Sequence, residues 1–143
     1  MTVASGDYSH AEGEGGETRG IAAHAEGTNT TAYGISAHAE GKGNITELTG
    51  ITWYINSKIL TNSMNTNVEI GNILCFKSTT DEYRKVVSKT DTEIILNDTL
   101  PFSSDDVWYI GVVTGIAYGN YSHSEGIDTN AYGFNSHTEG EGT

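Results

Sequence analysis

All five histidines of this chain open the same tetrapeptide, His-x-Glu-Gly, and they recur at a fixed interval. His10, His24 and His38 stand 14 residues apart, as do His123 and His137, while His38 and His123 are separated by 85. Each His is followed by Glu12, Glu26, Glu40, Glu125 or Glu139, and then by Gly13, Gly27, Gly41, Gly126 or Gly140. A second glycine precedes each His by four positions: Gly6, Gly20, Gly34, Gly119 and Gly133. Six positions before each His is a small residue, Ala4, Thr18, Ala32, Ala117 or Ala131. A fixed short period of this kind is the signature of a stacked, quasi-one-dimensional fold.

The period then selects the secondary structure. Glycine at about every seventh position costs a helix about 1 kcal/mol per occurrence relative to Ala. Short extended pieces ending in Gly are therefore expected, with the ten glycines above at tight turns where φ > 0 is cheap for them. Two strands and two turns per 14 residues make a flattened β-solenoid. Alternation puts Ser9 and Ala11 on one face and His10 and Glu12 on the other. Small residues fit inside a thin roll, and the His and Glu rows must point out. A roll lined with Ala, Ser and Thr buries little apolar area, too little at about 25 cal/mol per Å² to offset chain ordering. Its outward face needs a cover, and a further copy of the same chain is the simplest one. We therefore expect His10, Glu12, His24, Glu26, His38, Glu40, His123, Glu125, His137 and Glu139 at an interface between copies.

Residues 44–114 carry no copy of the motif. They hold 3 of the 18 glycines, 7 of the 13 aromatics and the single Pro101. The composition shift divides the chain into repeats at 1–43, an inserted β-domain at 44–114, and repeats at 115–143. Short runs rich in β-branched and aromatic residues mark its strands: 68–70, 73–76, 83–87, 92–96 and 107–113, with Trp53-Tyr54 and Ile59-Leu60 at the entry. Turn residues separate them. A small antiparallel barrel or sandwich is expected, entered and left at neighbouring points of the roll.

Charge and cysteine usage narrow the function. The net charge of −12 argues against a nucleic-acid partner, whose phosphates draw positive charge. Apolar runs fall far short of a membrane span. Cys75 stands alone, which excludes an internal disulfide and a cysteine zinc cage. It also excludes zinc deaminase chemistry, which needs Pro-Cys-x-x-Cys beside His-x-Glu. Five equivalent His-x-Glu pairs describe architecture better than an active site, which needs one. Imidazoles gathered on a threefold axis could hold a metal or an anion. The plainer expectation is pairing of His with Glu across chains, with no metal and no cofactor, weakened by acid as Glu protonates. Trp53, Tyr54, Trp108 and Tyr109 are candidates for stacking on a sugar ring. Asp81-Glu82 and Asp105-Asp106 are the carboxylate pairs a glycan-cleaving site would require.

The Ser-x-Ala-x-Gly repeat, with its second Gly seven residues earlier, resembles the head repeat of the YadA-like trimeric autotransporter adhesins. The resemblance covers residues 3–43 and 115–143. It implies a left-handed parallel β-roll, three of which pack about a threefold axis. The His and Glu variant, as in Ser9-His10-Ala11-Glu12-Gly13, looks like the form found in tail fibres and surface proteins of Gram-positive bacteria and their phages. Where the family places apolar residues toward the trimer centre, this chain has His10, Glu12 and their equivalents, which implies a polar interface. Residues 68–113 look like the small β-barrel appendages of phage fibre proteins.

The expectation is an all-β, non-enzymatic homotrimer that serves as a structural and receptor-binding module. Its setting would be a phage tail fibre, a tail-like particle or a bacterial surface adhesin, facing a host cell-surface glycan or receptor. A polysaccharide-degrading fibre domain and a pure scaffold that docks a neighbouring protein are the alternatives.

Overall fold

The computed structural model describes residues 1–62 and 68–142. The chain forms two compact units, one of residues 1–45 with 114–143 and one of residues 46–113.

The first unit is a β-solenoid of 14-residue coils. Each coil contributes one two-residue strand and one strand that opens on its His, of two residues in the first coil and five in the others. The short strands are β1 (Val3–Ala4), β3 (Glu17–Thr18), β5 (Thr31–Ala32), β14 (Ile116–Ala117) and β16 (Asn130–Ala131), stacked in that order. The other row is β2 (His10–Ala11), β4 (His24–Thr28), β6 (His38–Lys42), β15 (His123–Ile127) and β17 (His137–Glu141). All neighbours are parallel and in register, so His10 faces His24, His24 faces His38, His38 faces His123 and His123 faces His137. The solenoid thus resumes beside its third coil after the 85-residue jump. Asn44 and Thr114 meet there, the Asn44 amide donating to Thr114 Oγ1 at 2.9 Å.

Alternation sorts the faces as the pleat requires. Ala25, Ala39 and Ser124 lie sealed inside, and the flanking His and Glu residues point out. The apolar cluster of the interior is a set of alanines, Ala23, Ala25, Ala32, Ala37, Ala39 and Ala117, and Thr18, Thr30, Thr31, Thr129 and Ile116 of this unit are buried as well. Ser124 replaces an alanine there, and its hydroxyl is satisfied internally by the Thr129 carbonyl at 2.9 Å.

The ten repeat glycines divide into two kinds. Gly13, Gly27, Gly41, Gly126 and Gly140 have φ between +92° and +114°, the turn role expected of them. Gly6, Gly20, Gly34, Gly119 and Gly133 do not have positive φ. A Cβ on Gly6, Gly20, Gly34 or Gly119 would instead collide with a backbone carbonyl of the next coil. Glycine sits at these positions for close approach, not for φ. The left-handed residue of that turn comes two positions later, at Tyr8, Ala22, Ser36, Tyr121 and Asn135, with φ of 52° to 58°.

The second unit is built on one sheet. Its strands are β7 (Ile45–Glu47), β8 (Ile51–Thr52), β9 (Ile59–Asn62), β10 (Ile73–Lys77), β11 (Glu82–Lys89), β12 (Glu93–Leu96) and β13 (Tyr109–Val113). The order is β7-β13-β10-β11-β12-β9-β8, and β8 to β13 pair antiparallel. Residues 48–50 join the two edge strands and reach about 14 Å. A flat sheet of seven strands would hold its edges about 29 Å apart. The sheet must therefore curl until its edges approach. Leu60, Leu74, Phe76, Val86, Ile94, Leu96 and Leu100 fill the core. A register shift between Val86 and Ser88 bends β11.

Two expected strands are absent. Residues 68–70 form no strand, because Asn72 closes a turn on them: Glu69 donates its amide to Asn72 Oδ1 at 2.8 Å, and the Asn72 amide donates to the Glu69 carbonyl at 3.1 Å. Trp53-Tyr54 also lies outside a strand, with the chain turning at Asn56, whose φ is 60°. Among the described residues no helix is long and apolar enough to cross a membrane.

Candidate functional site

In-register stacking lines up the five histidines and five glutamates as two rows on one face. Successive imidazole centroids stand 5.2, 4.8, 4.6 and 4.8 Å apart. The last three pairs are stacked within 10° of parallel, and His10 meets His24 edge-on at 66°. In four of the five coils Nε2 lies near the carboxylate two residues on: 3.4 Å in the first coil, 3.7 Å at His24–Glu26, 3.6 Å at His38–Glu40 and 3.5 Å at His123–Glu125. The carboxylates also reach the following coil, Glu40 to His123 at 3.9 Å and Glu125 to His137 at 3.7 Å. Pairing of His with Glu therefore exists within one chain, along and between its coils.

Identical ionisable groups at strand spacing must share or shed charge. The glutamate row does so through protons. Glu40 is pushed up to about 7, first by its hydrogen bond with Glu26, then by burial and its hydrogen bond with Glu125. Glu26 and Glu125 are held below the usual carboxylate range, in each case chiefly by the hydrogen bond from Glu40. Burial, and then the neighbouring imidazoles of His123 and His24, lower His38, so the neutral ring is favoured. Within the chain, acid thus supplies the proton that holds Glu40 between its neighbours. Its sign is opposite to that of Glu26 and Glu125, which lose their contribution in acid.

The rows are neither buried nor fully solvated. Side-chain exposure falls from 65% at His10 to 34% at His38. Yet the Nε2 atoms of His24, His38 and His123 are dry and have no hydrogen-bond partner. Beside them an open recess of about 540 Å³ is lined by Glu40, Glu125, Glu139, Gly126 and Gly140.

The four candidate aromatics separate by environment. Trp53 belongs to the core, edge-on to Phe76 at 5.3 Å and donating Nε1–H to the Phe102 carbonyl at 2.9 Å, so it has no free face for a ligand. Tyr109 is half-buried on β13, and burial pushes its hydroxyl up. Tyr54 at 86% exposure and Trp108 at 70% are open to solvent. Three of the four carboxylates in the candidate pairs are engaged in local structure. Asp81 accepts from Lys77 Nζ at 2.9 Å and Glu82 from Arg84 at 2.8 Å. Asp106 caps the short 3₁₀ turn Ser104–Asp106 by accepting the Ser103 amide at 3.2 Å.

One surface feature had no counterpart in the sequence reading. Tyr8, Ile21, Ile35, Tyr121 and Phe134 are all exposed at the turn before each His, with Tyr121 and Phe134 edge-on at 5.4 Å. The signal was an apolar residue two or three positions before each His, masked by the changing residue type.

No protein-family model matches the chain, and no curated protein matches it. Two solved structures are similar in part. One is the Gp54 tailspike of Acinetobacter baumannii bacteriophage AP22 in complex with A. baumannii capsular saccharide, at TM-score 0.44 and 11% identity. That match covers 78% of this chain and 24% of the tailspike. The other is the tailspike protein gp49 from Pseudomonas phage LKA1, at TM-score 0.43 and 14% identity, covering 87% of this chain and 25% of that one. The chain thus spans about a quarter of each, and at this degree of likeness neither carries an argument about function.

Proposed function

We propose that this chain is a non-enzymatic structural and receptor-binding module of a phage tail fibre, a tail-like particle or a bacterial surface adhesin. Three copies pack through their His–Glu rows, and each copy presents residues 44–114, an inserted antiparallel β-domain, to a host cell-surface glycan or receptor. The roll acts as a stiff shaft, left-handed as the repeat's resemblance implies. The carrying observation is the pair of rows. Half-open imidazoles whose dry Nε2 atoms make no hydrogen bond stand over an alanine-rich interior, and a cover from sister chains would complete both. Exposure of Tyr54 and Trp108 supports the binding role, since aromatic faces stack on sugar rings. Three such faces on one particle turn weak single-site affinity into avidity.

The test is binding of the whole chain to an array of bacterial surface glycans. We expect retention of one glycan class by the unaltered chain, and at least tenfold weaker retention by Tyr54→Ala or Trp108→Ala. Absence of any glycan or cell-surface binding, or binding that neither substitution affects, contradicts the assignment.

A further inference from the structure

We propose that the His–Glu rows bind divalent transition-metal ions of the zinc type, two per chain at saturation, each held by histidines of adjacent coils and the glutamate that reaches both. The stacking generates four overlapping donor sets: His10, Glu12 and His24; His24, Glu26 and His38; His38, Glu40 and His123; His123, Glu125 and His137. Within each set the donor atoms lie within 4.8 Å of one another. Zinc with bonds of about 2.0–2.1 Å needs its donors about 3.3 Å apart. Tilting two imidazoles toward each other closes that gap. These side chains remain about a third or more exposed, so they have room to tilt.

The chemistry of the donors suits such an ion. Neutral imidazole with carboxylate is a zinc-type set, and three protein donors leave a fourth position for water or a sister chain. The Nε2 atoms of His24, His38 and His123 carry a demand only loosely met: they are cut off from solvent, make no hydrogen bond, and have a carboxylate no nearer than 3.5–3.7 Å. A cation there meets that demand and also relieves the like charge of a glutamate row in a chain of net charge −12. Nothing in this scheme depends on the trimer, because every set is complete within one chain.

Overlap makes the proposal sharp. Each interior histidine belongs to two sets, so filling one set disables its neighbour. Four sets on five histidines in a row admit two ions at once. Removing His38 leaves the first and last sets, which share nothing, so two ions still bind. Removing His123 leaves the first two sets, which share His24, so one ion binds. Removing His24 leaves the last two, which share His123, and again one ion binds.

The experiment is calorimetric titration of Zn²⁺ into the chelator-treated full chain at neutral pH, with Co²⁺ absorption as a second readout. Expected saturation is two ions per chain for the unaltered protein and for His38→Ala, and one for His123→Ala. Circular dichroism confirms folding, and His24→Ala, also expected to bind one, replaces any variant that does not fold. No saturable binding overturns the proposal. So does an equal loss in His38→Ala and His123→Ala, the mark of independent surface histidines. Stoichiometry is counted per chain, so a monomeric protein that binds two ions would contradict the trimer and leave this site standing.

Discussion

In the repeat unit the buried cluster is alanine throughout, while in residues 46–113 it is Leu, Ile, Val, Phe and Trp. The two units therefore hold together by different means. The seven-stranded sheet buries large side chains around Leu60, Leu74 and Phe76, and each such side chain contributes about 1.5–3 kcal/mol. Alanine methyls contribute far less. The solenoid relies instead on uninterrupted interstrand bonds, such as His10 to the Ala23 carbonyl and His24 to the Ala37 carbonyl, both 2.9 Å. It also relies on backbones close enough that no Cβ fits between them. A side-chain core tolerates small misfits by repacking. A backbone-on-backbone stack has nothing to repack.

The largest effect should come from breaking that stack. Gly27 has φ of +106°, and a Cβ on it would meet the Gly41 carbonyl. Gly27→Ala should cost about 5 kcal/mol, combining backbone strain with displacement of a neighbouring coil. Thermal unfolding followed by circular dichroism should show loss of the repeat unit's transition. Gly71, in the other unit, has φ of +96° with nothing within 4 Å of a Cβ. Gly71→Ala should cost about 1–2 kcal/mol, from strain alone. Equal costs at the two glycines would erase the proposed difference between the units.

Next in size is the complementary cut. Phe76→Ala should destabilise the second unit by about 3–5 kcal/mol, read from its chemical denaturation midpoint. Ala25→Gly, at the centre of the solenoid interior, should cost only about 1 kcal/mol. A larger loss for Ala25→Gly than for Phe76→Ala would mean that the alanine column carries more than its area allows.

The smallest expected effect is electrostatic. Glu40 is raised in the folded state to about 7, so its contribution is full below the unfolded value of about 4.5 and fades as pH rises through 7. Glu26 and Glu125, lowered, contribute above about 4.5 and lose that contribution as pH falls. His38, lowered, works against Glu40 as pH approaches 6.5, but Glu40 moves further from its ordinary value. The metal-free repeat unit should therefore unfold at a lower temperature at pH 7.5 than at pH 5.5, and Glu40→Gln should flatten that slope. A midpoint that rises over this interval would contradict the shared proton.

Much of the solenoid was legible because its period is written in one rare residue type. Histidine spacing located every coil, and alternation placed Ala25 and Ala39 inside and His24 and Glu26 outside. The reason for Gly6, Gly20, Gly34 and Gly119 was not legible, since a close approach between coils is invisible until the coils are stacked. The left-handed turn residues escaped notice because Tyr, Ala, Ser and Asn share no turn signature there. In the second unit, β10 and β11 followed from their β-branched runs. Residues 68–70 did not, because the Asn72 side chain outcompetes strand pairing for the Glu69 amide. At the candidate site, the rows could be read from the repeat. The proton sharing at Glu40 could not, because it depends on a register that only the folded chain supplies.

The claim on which the rest turns is that so thin a coil completes its missing interior with sister copies. Sedimentation equilibrium of the full chain at micromolar concentration tests it most directly. The account predicts a single species at three times the 15.3 kDa of one chain, stable on dilution. A folded species at 15.3 kDa would contradict it.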